Sequence, residues 1–359
     1  MTQREQQILQ LIEENPMISQ QELARKLGIT RSSVAVHISN LIQKGCIAGR
    51  GYVLSSGNYA VVVGGANVDI GGRSRSALVA ADSNPGTISL SLGGVGRNIA
   101  HNLRLMGSDV KLLTAYGDDM NGGHLEQSCT QLGIDLKYAL KCKGETTSTY
   151  LYIADPAGEM ALAVSDMAIC DRITPQYLAD NMNVLRGARV VVADTNIPRE
   201  SLEYLAKNCT APLFIDPVST TKAEKLRDLL PYIHTLKPNK LEAELLSGIP
   251  IREKGDVVKA AQVLLDAGVQ RLFISMGADG VYAADQEAQL WLPVIPGSMV
   301  NTTGCGDAFM AALVWAWMEG LSLEDTARAG SAAGSIAMES SKTINPHMSA
   351  EALRKRMGQ

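Results

Sequence analysis

Asn301-Thr-Thr-Gly-Cys-Gly-Asp307-Ala-Phe-Met-Ala311 runs from small residues and glycines straight into an apolar stretch that reaches Met318. That order predicts a helix whose first turn carries no bulky side chains. Its unsatisfied backbone N–H groups and the positive end of its dipole are then open to an anion. A phosphoryl group in transfer fits the amides of Gly304, Cys305 and Gly306. Asp307, at the mouth of that nest, is placed to accept the proton of an attacking hydroxyl. An aspartate at a helix start also serves as an ordinary cap. It is Gly-Cys-Gly-Asp after two threonines that turns the reading towards chemistry.

Working outward, residues 59 onward alternate short apolar runs with amphipathic stretches. Val61–Val63, Lys111–Leu113, Arg189–Val192, Pro212–Ile215 and Leu272–Ile274 read as buried strands. Helical patterns fall near 96–106, 119–132, 200–208, 255–267 and 304–319, which predicts an α/β fold with a mostly parallel sheet covered by helices. Ser148–Ile153 and Met160–Val164 flank a turn at Asp155-Pro-Ala-Gly158 and predict an antiparallel hairpin that stands apart as a small β lid.

Gly93-Gly94-Val-Gly96-Arg-Asn98 opens a second glycine-led helix. It lacks the P-loop lysine, so by itself it does not separate phosphate contact from close packing. Together the two glycine-led segments resemble the N-terminal and C-terminal signatures of the ribokinase-like (PfkB) carbohydrate kinase family, and the resemblance spans about residues 60–345. It implies a ribokinase-like fold that uses ATP as co-substrate. It also implies that Gly93, Gly94 and Asn98 hold the sugar together with Asn67 and Asp69. Asn239 and Glu242, in Asn239-Lys-Leu-Glu242, would organise Mg²⁺ and the ATP phosphates through water. Ser275, Gly277 and Gly280, with Thr303, would line the nucleotide site. An N-cap asparagine followed by a helix-start glutamate is the plain alternative for the Asn239/Glu242 pair. Many family members also bind a monovalent cation beside the anion hole. Two departures from the common pattern stand out: Asn301 in place of Asp, and Cys305 in place of Ala.

Within the family, Gly65–Asp69, Ser83–Gly86, Gly93–Asn98, Thr147–Leu151 and Ser165–Ala168 are most similar to pseudouridine kinases. That similarity implies transfer to a ribose 5′-hydroxyl, with Thr149 and Asp166 near the lid side of the pocket. Thr149 as one alternating residue of a hairpin and Asp166 as a turn residue stay open. So do inosine, guanosine and ribose as acceptors, and a ligand-sensing regulator without turnover.

Residues 1–54 read differently. Ile8, Leu9, Leu11 and Ile12 share a helix face, and Asn15-Pro16 ends that helix. Ser19 with Glu22 opens a second helix, which Gly28 closes. Thr30 or Arg31 opens a third, with Val34, Val36, Ile38, Leu41 and Ile42 as its apolar residues, before a hairpin-like tail over 46–54. The pattern resembles a winged helix-turn-helix module. That implies DNA contacts from Thr30, Arg31, Ser32, Ser33 and His37, and from Arg50 in the wing. Six Lys/Arg against four Asp/Glu is a small cationic excess, so a docking or dimerisation module is the competing reading. The expected organisation is thus a winged-helix domain over 1–54, a linker over 55–59, and a kinase domain over 60–359 with lid strands about 70–92 and 146–166.

The chain has 359 residues, 46% of them hydrophobic, and a net charge of -4, which describes an ordinary globular protein. Its six cysteines form no CxxC pair, and no apolar run approaches the ~20 residues of a membrane span. A reducing cytoplasmic setting and no membrane are therefore expected. The expected partners are a nucleoside or sugar, ATP, DNA, and a second copy of the chain in a homodimer.

Overall fold

The computed structural model describes residues 1–47 and 57–358. The chain divides into two compact units, residues 1–58 with the short segment 186–189, and residues 59–185 with 190–359.

The first unit holds three helices, Gln3–Glu14, Gln20–Leu27 and Arg31–Gln43. Each starts on a hydroxyl: the side chains of Thr2, Ser19 and Thr30 accept from the amides of Glu5, Glu22 and Ser33. Gly28 closes the second helix in the left-handed region at φ 63, as its position in the sequence predicts. Ile8, Ile12, Ile18, Leu23, Val34, Ile38 and Leu41 form the core. Val36 and Ile42, expected among the apolar face, are exposed instead, because at their spacing they fall on the solvent side of the stripe 34–38–41. Glu5 is buried. It closes a capping box on Thr2 and binds the Lys44 ammonium at 2.8 Å, a pair the sequence did not announce. The hairpin expected over 46–54, Arg50 included, lies almost wholly outside the described residues.

In the second unit the short apolar runs become an eight-stranded sheet. Its strands lie in the order Gln289–Leu292, Val281–Asp285, Arg271–Ser275, Thr235–Leu236, Leu213–Asp216, Val190–Asp194, Tyr59–Val63 and Asp109–Leu113. Every pairing is parallel except those of Val281–Asp285, which runs antiparallel to both neighbours. The central strands are buried on both faces, which explains their unbroken Val/Ile/Leu/Ala composition. Chain order reverses beside Tyr59–Val63, since the next strand of the sheet, Asp109–Leu113, lies on one side of it and Val190–Asp194 on the other. In open α/β sheets the crevice at the carboxyl ends of the strands, at such a reversal, is where ligands bind.

A four-stranded second sheet follows the order Gly86–Gly93, Asn67–Ser74, Thr149–Ala154 and Met160–Asp166. The hairpin expected around Asp155–Gly158 is present, and Asn67–Ser74 with Gly86–Gly93 complete it into a lid. Helix Cys305–Met318, buried from Ala308 through Ala316, packs on helices Val95–Leu105 and Leu323–Met338 in the core. Among the described residues no helix is long and apolar enough to cross a membrane.

Candidate active site

Two helices begin at the crevice without any side-chain cap. Gly94 starts Val95–Leu105 at φ 93, and Gly304 starts Cys305–Met318 at φ 85. Both glycines are required by their surroundings. A Cβ on Gly94 would lie 2.5 Å from the backbone of Ala66 and Gly65, and one on Gly304 would lie 2.3 Å from the Thr343 carbonyl. Gly96 meets Gly64 backbone to backbone, which seats the first helix against the central strand.

The two helix starts are joined by one hydrogen bond. Asn98 Nδ2 donates to Asp307 Oδ2 at 2.8 Å, across 209 residues of sequence. Asp307 is half-buried. Burial and the nearby Asp216 carboxylate push its pKa up to about 7, against the opposing pull of the Asn98 donor and the Lys237 ammonium. Such a carboxyl takes up or gives up a proton near neutral pH, which is what a general base requires.

Beside them, Asn67 Nδ2 donates to Asp69 Oδ1 at 2.6 Å, and a Cβ on Gly93 would lie 2.3 Å from the Asp69 carboxylate. Burial raises the Asp69 pKa in spite of the Asn67 donor and the charge of Arg97. Asn67, Asp69, Gly93, Gly94, Asn98 and Asp307 are thus brought to one place. Thr149 and Asp166 are not placed with them. Residues paired across neighbouring strands share a face, so Asp69, Ser91, Tyr150 and Ser165 share one side of the lid. Thr149 and Asp166 pair with each other on the opposite side, where Ile88, Leu90, Leu162 and Val164 are exposed. Tyr150 and Ser165 are the hairpin residues on the Asp69 face.

Asn239 caps helix Lys240–Ser247 in a full capping box, with Glu242 N donating to Asn239 Oδ1 at 3.0 Å and Asn239 N to Glu242 Oε2 at 2.8 Å. The plain capping role is therefore filled. It leaves the second Glu242 oxygen without a hydrogen bond from Asn239, on a side chain that is 3% exposed and whose pKa burial raises. Ser275 bridges to Asn239, and its amide donates to Pro238 O at 3.0 Å. Gly277, at φ 58, faces open space, whereas a Cβ on Gly280 would lie 2.1 Å from Leu292 O, so the second glycine answers to strand packing.

The two departures from the common pattern have local reasons. Asn301 Oδ1 accepts from Thr303 N at 3.0 Å, and its Nδ2 donates to Ser341 O at 3.4 Å, a bond an ionised aspartate cannot make. Thr303 itself is exposed. Burial and Asp307 push the Cys305 thiol pKa up, away from a reactive thiolate.

Three charged groups in the crevice escaped the sequence reading. Asp194, fully buried, accepts from Gly65 N and Asn196 N at 2.9 Å each, and its pKa is pushed up to about 6, chiefly by burial. Asp216 lies beside it in register on the next strand. Lys237, just beyond strand Thr235–Leu236, pairs with Asp216 at 3.1 Å. The signal available for both acids was an aspartate directly ending a buried apolar run. About 790 Å³ of cavity also opens near the end of helix Leu323–Met338, lined by Glu339, Ser341, Lys342, His347 and Arg356.

Residues 58–350 match the model described as pfkB family carbohydrate kinase. The chain belongs to that family. This kinase is 44% identical over 294 residues to a pseudouridine kinase of Escherichia coli (strain K12), covering 81% of this chain and 94% of the relative. It is 41% identical to an uncharacterized sugar kinase, YeiI, of the same organism, over 98% of both chains. The fold of this kinase matches that of a Thermotoga maritima ribokinase with a TM-score of 0.76 at 22% identity, covering 84% of this chain and 100% of the other. Residues 1–48 match a model described as winged helix-turn-helix DNA-binding. The protein is thus a sugar or nucleoside kinase that uses ATP as co-substrate, with a winged helix-turn-helix match at its N-terminus.

Proposed function

We propose that this kinase transfers the γ-phosphoryl group of ATP to the 5′-hydroxyl of pseudouridine. The observation that carries the chemistry is the Asn98–Asp307 hydrogen bond at 2.8 Å, which sets a sugar-binding amide against a base poised near neutrality. Asp69 and Asn98 hold the acceptor's ribose hydroxyls, and Asp307 takes the proton of the attacking hydroxyl. The amides of Gly304, Cys305 and Gly306 receive the γ-phosphoryl oxygens at the helix start. Support for pseudouridine itself comes from the 44% identity to the Escherichia coli enzyme of that name.

The adenine of ATP enters the cavity near Lys342 and His347, and Ser275, Gly277 and Thr303 flank the phosphates. Glu242, with one oxygen outside the capping box, suits a water-mediated hold on Mg²⁺, whereas Asn239 Oδ1 is already occupied. Mg²⁺, when bound, neutralises charge on the β- and γ-phosphates.

The deciding experiment is ADP release by the purified protein with Mg²⁺-ATP and, in turn, pseudouridine, uridine, inosine, guanosine and ribose. Pseudouridine is expected to give the highest kcat/KM. A higher value for another acceptor replaces the substrate, and no release with any of them favours a ligand-sensing regulator.

Residues 1–54 are proposed to bind DNA through the third helix. Arg31 and Ser32 are exposed at its start, Val36 and Ser39 continue that face, and Thr30 and Ser33 are tied together by a 2.8 Å hydroxyl contact. His37 is half-buried with its Nδ1 enclosed, which leaves it a smaller part than Arg31. Arg31→Ala should weaken binding to labelled mixed-sequence duplex DNA in fluorescence polarisation. Equal, salt-insensitive signals for both proteins would remove the proposal.

A further inference from the structure

The amides of the Gly304–Gly306 nest are neutral, yet the group in transfer carries several negative charges. Lys237 places a fixed cation beside the nest. Its side chain is 7% exposed, its ammonium lies 3.1 Å from Asp216 Oδ2, and it stands 3.4 Å from the point a Cβ on Gly306 would occupy. Asp216 supplies the opposite charge that an ammonium at this depth requires.

A cation beside the first turn of a helix faces the positive end of the dipole, the unfavourable end. An ion pair that served stability alone has no need of that place. Backbone strain lies two residues beyond the partner. Val218, a β-branched residue, is forced to φ 63, and its amide donates to Asp216 Oδ1 at 2.9 Å, which leaves Oδ2 for Lys237. The absence of a side chain on Gly306 keeps the other side of the ammonium clear towards the nest.

We propose that Lys237 is a catalytic residue of the phosphoryl transfer, its ammonium donating to an oxygen of the γ-phosphoryl group, and that Asp216 is the positioning residue that aims it. The assignment rests on the kinase reading above and deepens it. In the step, a bond forms between the acceptor oxygen and the γ-phosphorus, and the bond from that phosphorus to the β–γ bridging oxygen breaks, leaving its electron pair on ADP. The acceptor's proton passes to Asp307. Lys237 stays protonated throughout and neutralises charge as it spreads over the transferred group.

The test compares wild type with Lys237→Met in two measurements. With the acceptor that wild type phosphorylates, kcat should fall at least about 100-fold, the scale of losing one such donor. By calorimetry with Mg²⁺, ADP affinity should stay within about threefold, while the affinity for ADP with aluminium fluoride, a mimic of the transferring phosphoryl, falls in step with kcat. A kcat within about threefold of wild type overturns the proposal. So does equal weakening of both complexes, or a wild type that gains nothing from aluminium fluoride. The binding arm needs no acceptor, so a wrong substrate assignment leaves it readable. If Lys237→Met alone does not fold, the neutral pair Asp216→Asn with Lys237→Met removes the uncompensated buried charge. That pair should keep the melting temperature yet stay at least about 100-fold slow. Restored turnover in it assigns the pair to structure and overturns the proposal.

Discussion

The helix starts of the N-terminal unit and the two at the kinase crevice solve the same problem in opposite ways. In the N-terminal unit, Thr2, Ser19 and Thr30 each spend an oxygen on an amide of the first turn. In the kinase unit the helices that begin at Gly94 and Gly304 have no side-chain cap. A capped start is complete in itself, whereas an uncapped start at a crevice keeps its donors for a ligand. Asn239 stands between the two, since it is fully capped and keeps only one Glu242 oxygen to spare.

The largest effect that tests this contrast is expected at the uncapped nest. Asp307→Asn removes the base at nearly constant size, and kcat should drop by about three to four orders of magnitude in the ADP-release assay. In wild type, kcat/KM should fall as pH drops below about 7, where the carboxyl of the free enzyme protonates. Stability gives the complementary sign. The folded pKa of Asp307, about 7, lies above the ordinary 3.8, so the stability this group contributes is present at low pH and lost as pH rises through 7. Asparagine does not titrate, so the melting temperature of Asp307→Asn relative to wild type should rise between pH 5 and pH 8. A gap that does not change with pH would deny the raised pKa.

Next comes Gly304→Ala. A methyl there meets Thr343 O at 2.3 Å in a left-handed conformation, so the nest must shift. A displacement of this kind is expected to lower kcat/KM about 100-fold. Gly277→Ala has the same backbone strain but open space around it, so chemical denaturation should show a loss of about 1 kcal/mol, and turnover should fall far less. Last is Thr30→Ala, a cap in the other unit. It should cost that unit about 1 kcal/mol and leave turnover unchanged. If the cap variant and the nest variant affected catalysis alike, the contrast between the two kinds of helix start would collapse.

Much of the architecture was readable because local chemistry repeats along the chain. Unbroken apolar runs such as Val61–Val63 marked the strands, Ser19 and Gly28 marked helix ends, and the glycine clusters marked both crevice helices. What stayed hidden is of a different kind. Which hairpin residues share the face of Asp69 depends on pairing with Asn67–Ser74, because a hairpin's alternation is visible in sequence but its parity is not. Val36 was read as core because one apolar residue does not say which side of a helical stripe is covered.

By itself, the sequence determined five strands of the main sheet, the five kinase helices read from periodicity, two glycine-led helix starts, and that an aspartate follows the second. These follow from backbone propensity and from patterns within a few residues. Only the tertiary structure decided that Asn98 touches Asp307, that Asp194, Asp216 and Lys237 gather nearby, and which lid residues share the face of Asp69. Those contacts join strand ends and helix starts far apart in the chain. They exist only where the sheet reverses its order and brings those ends to one crevice.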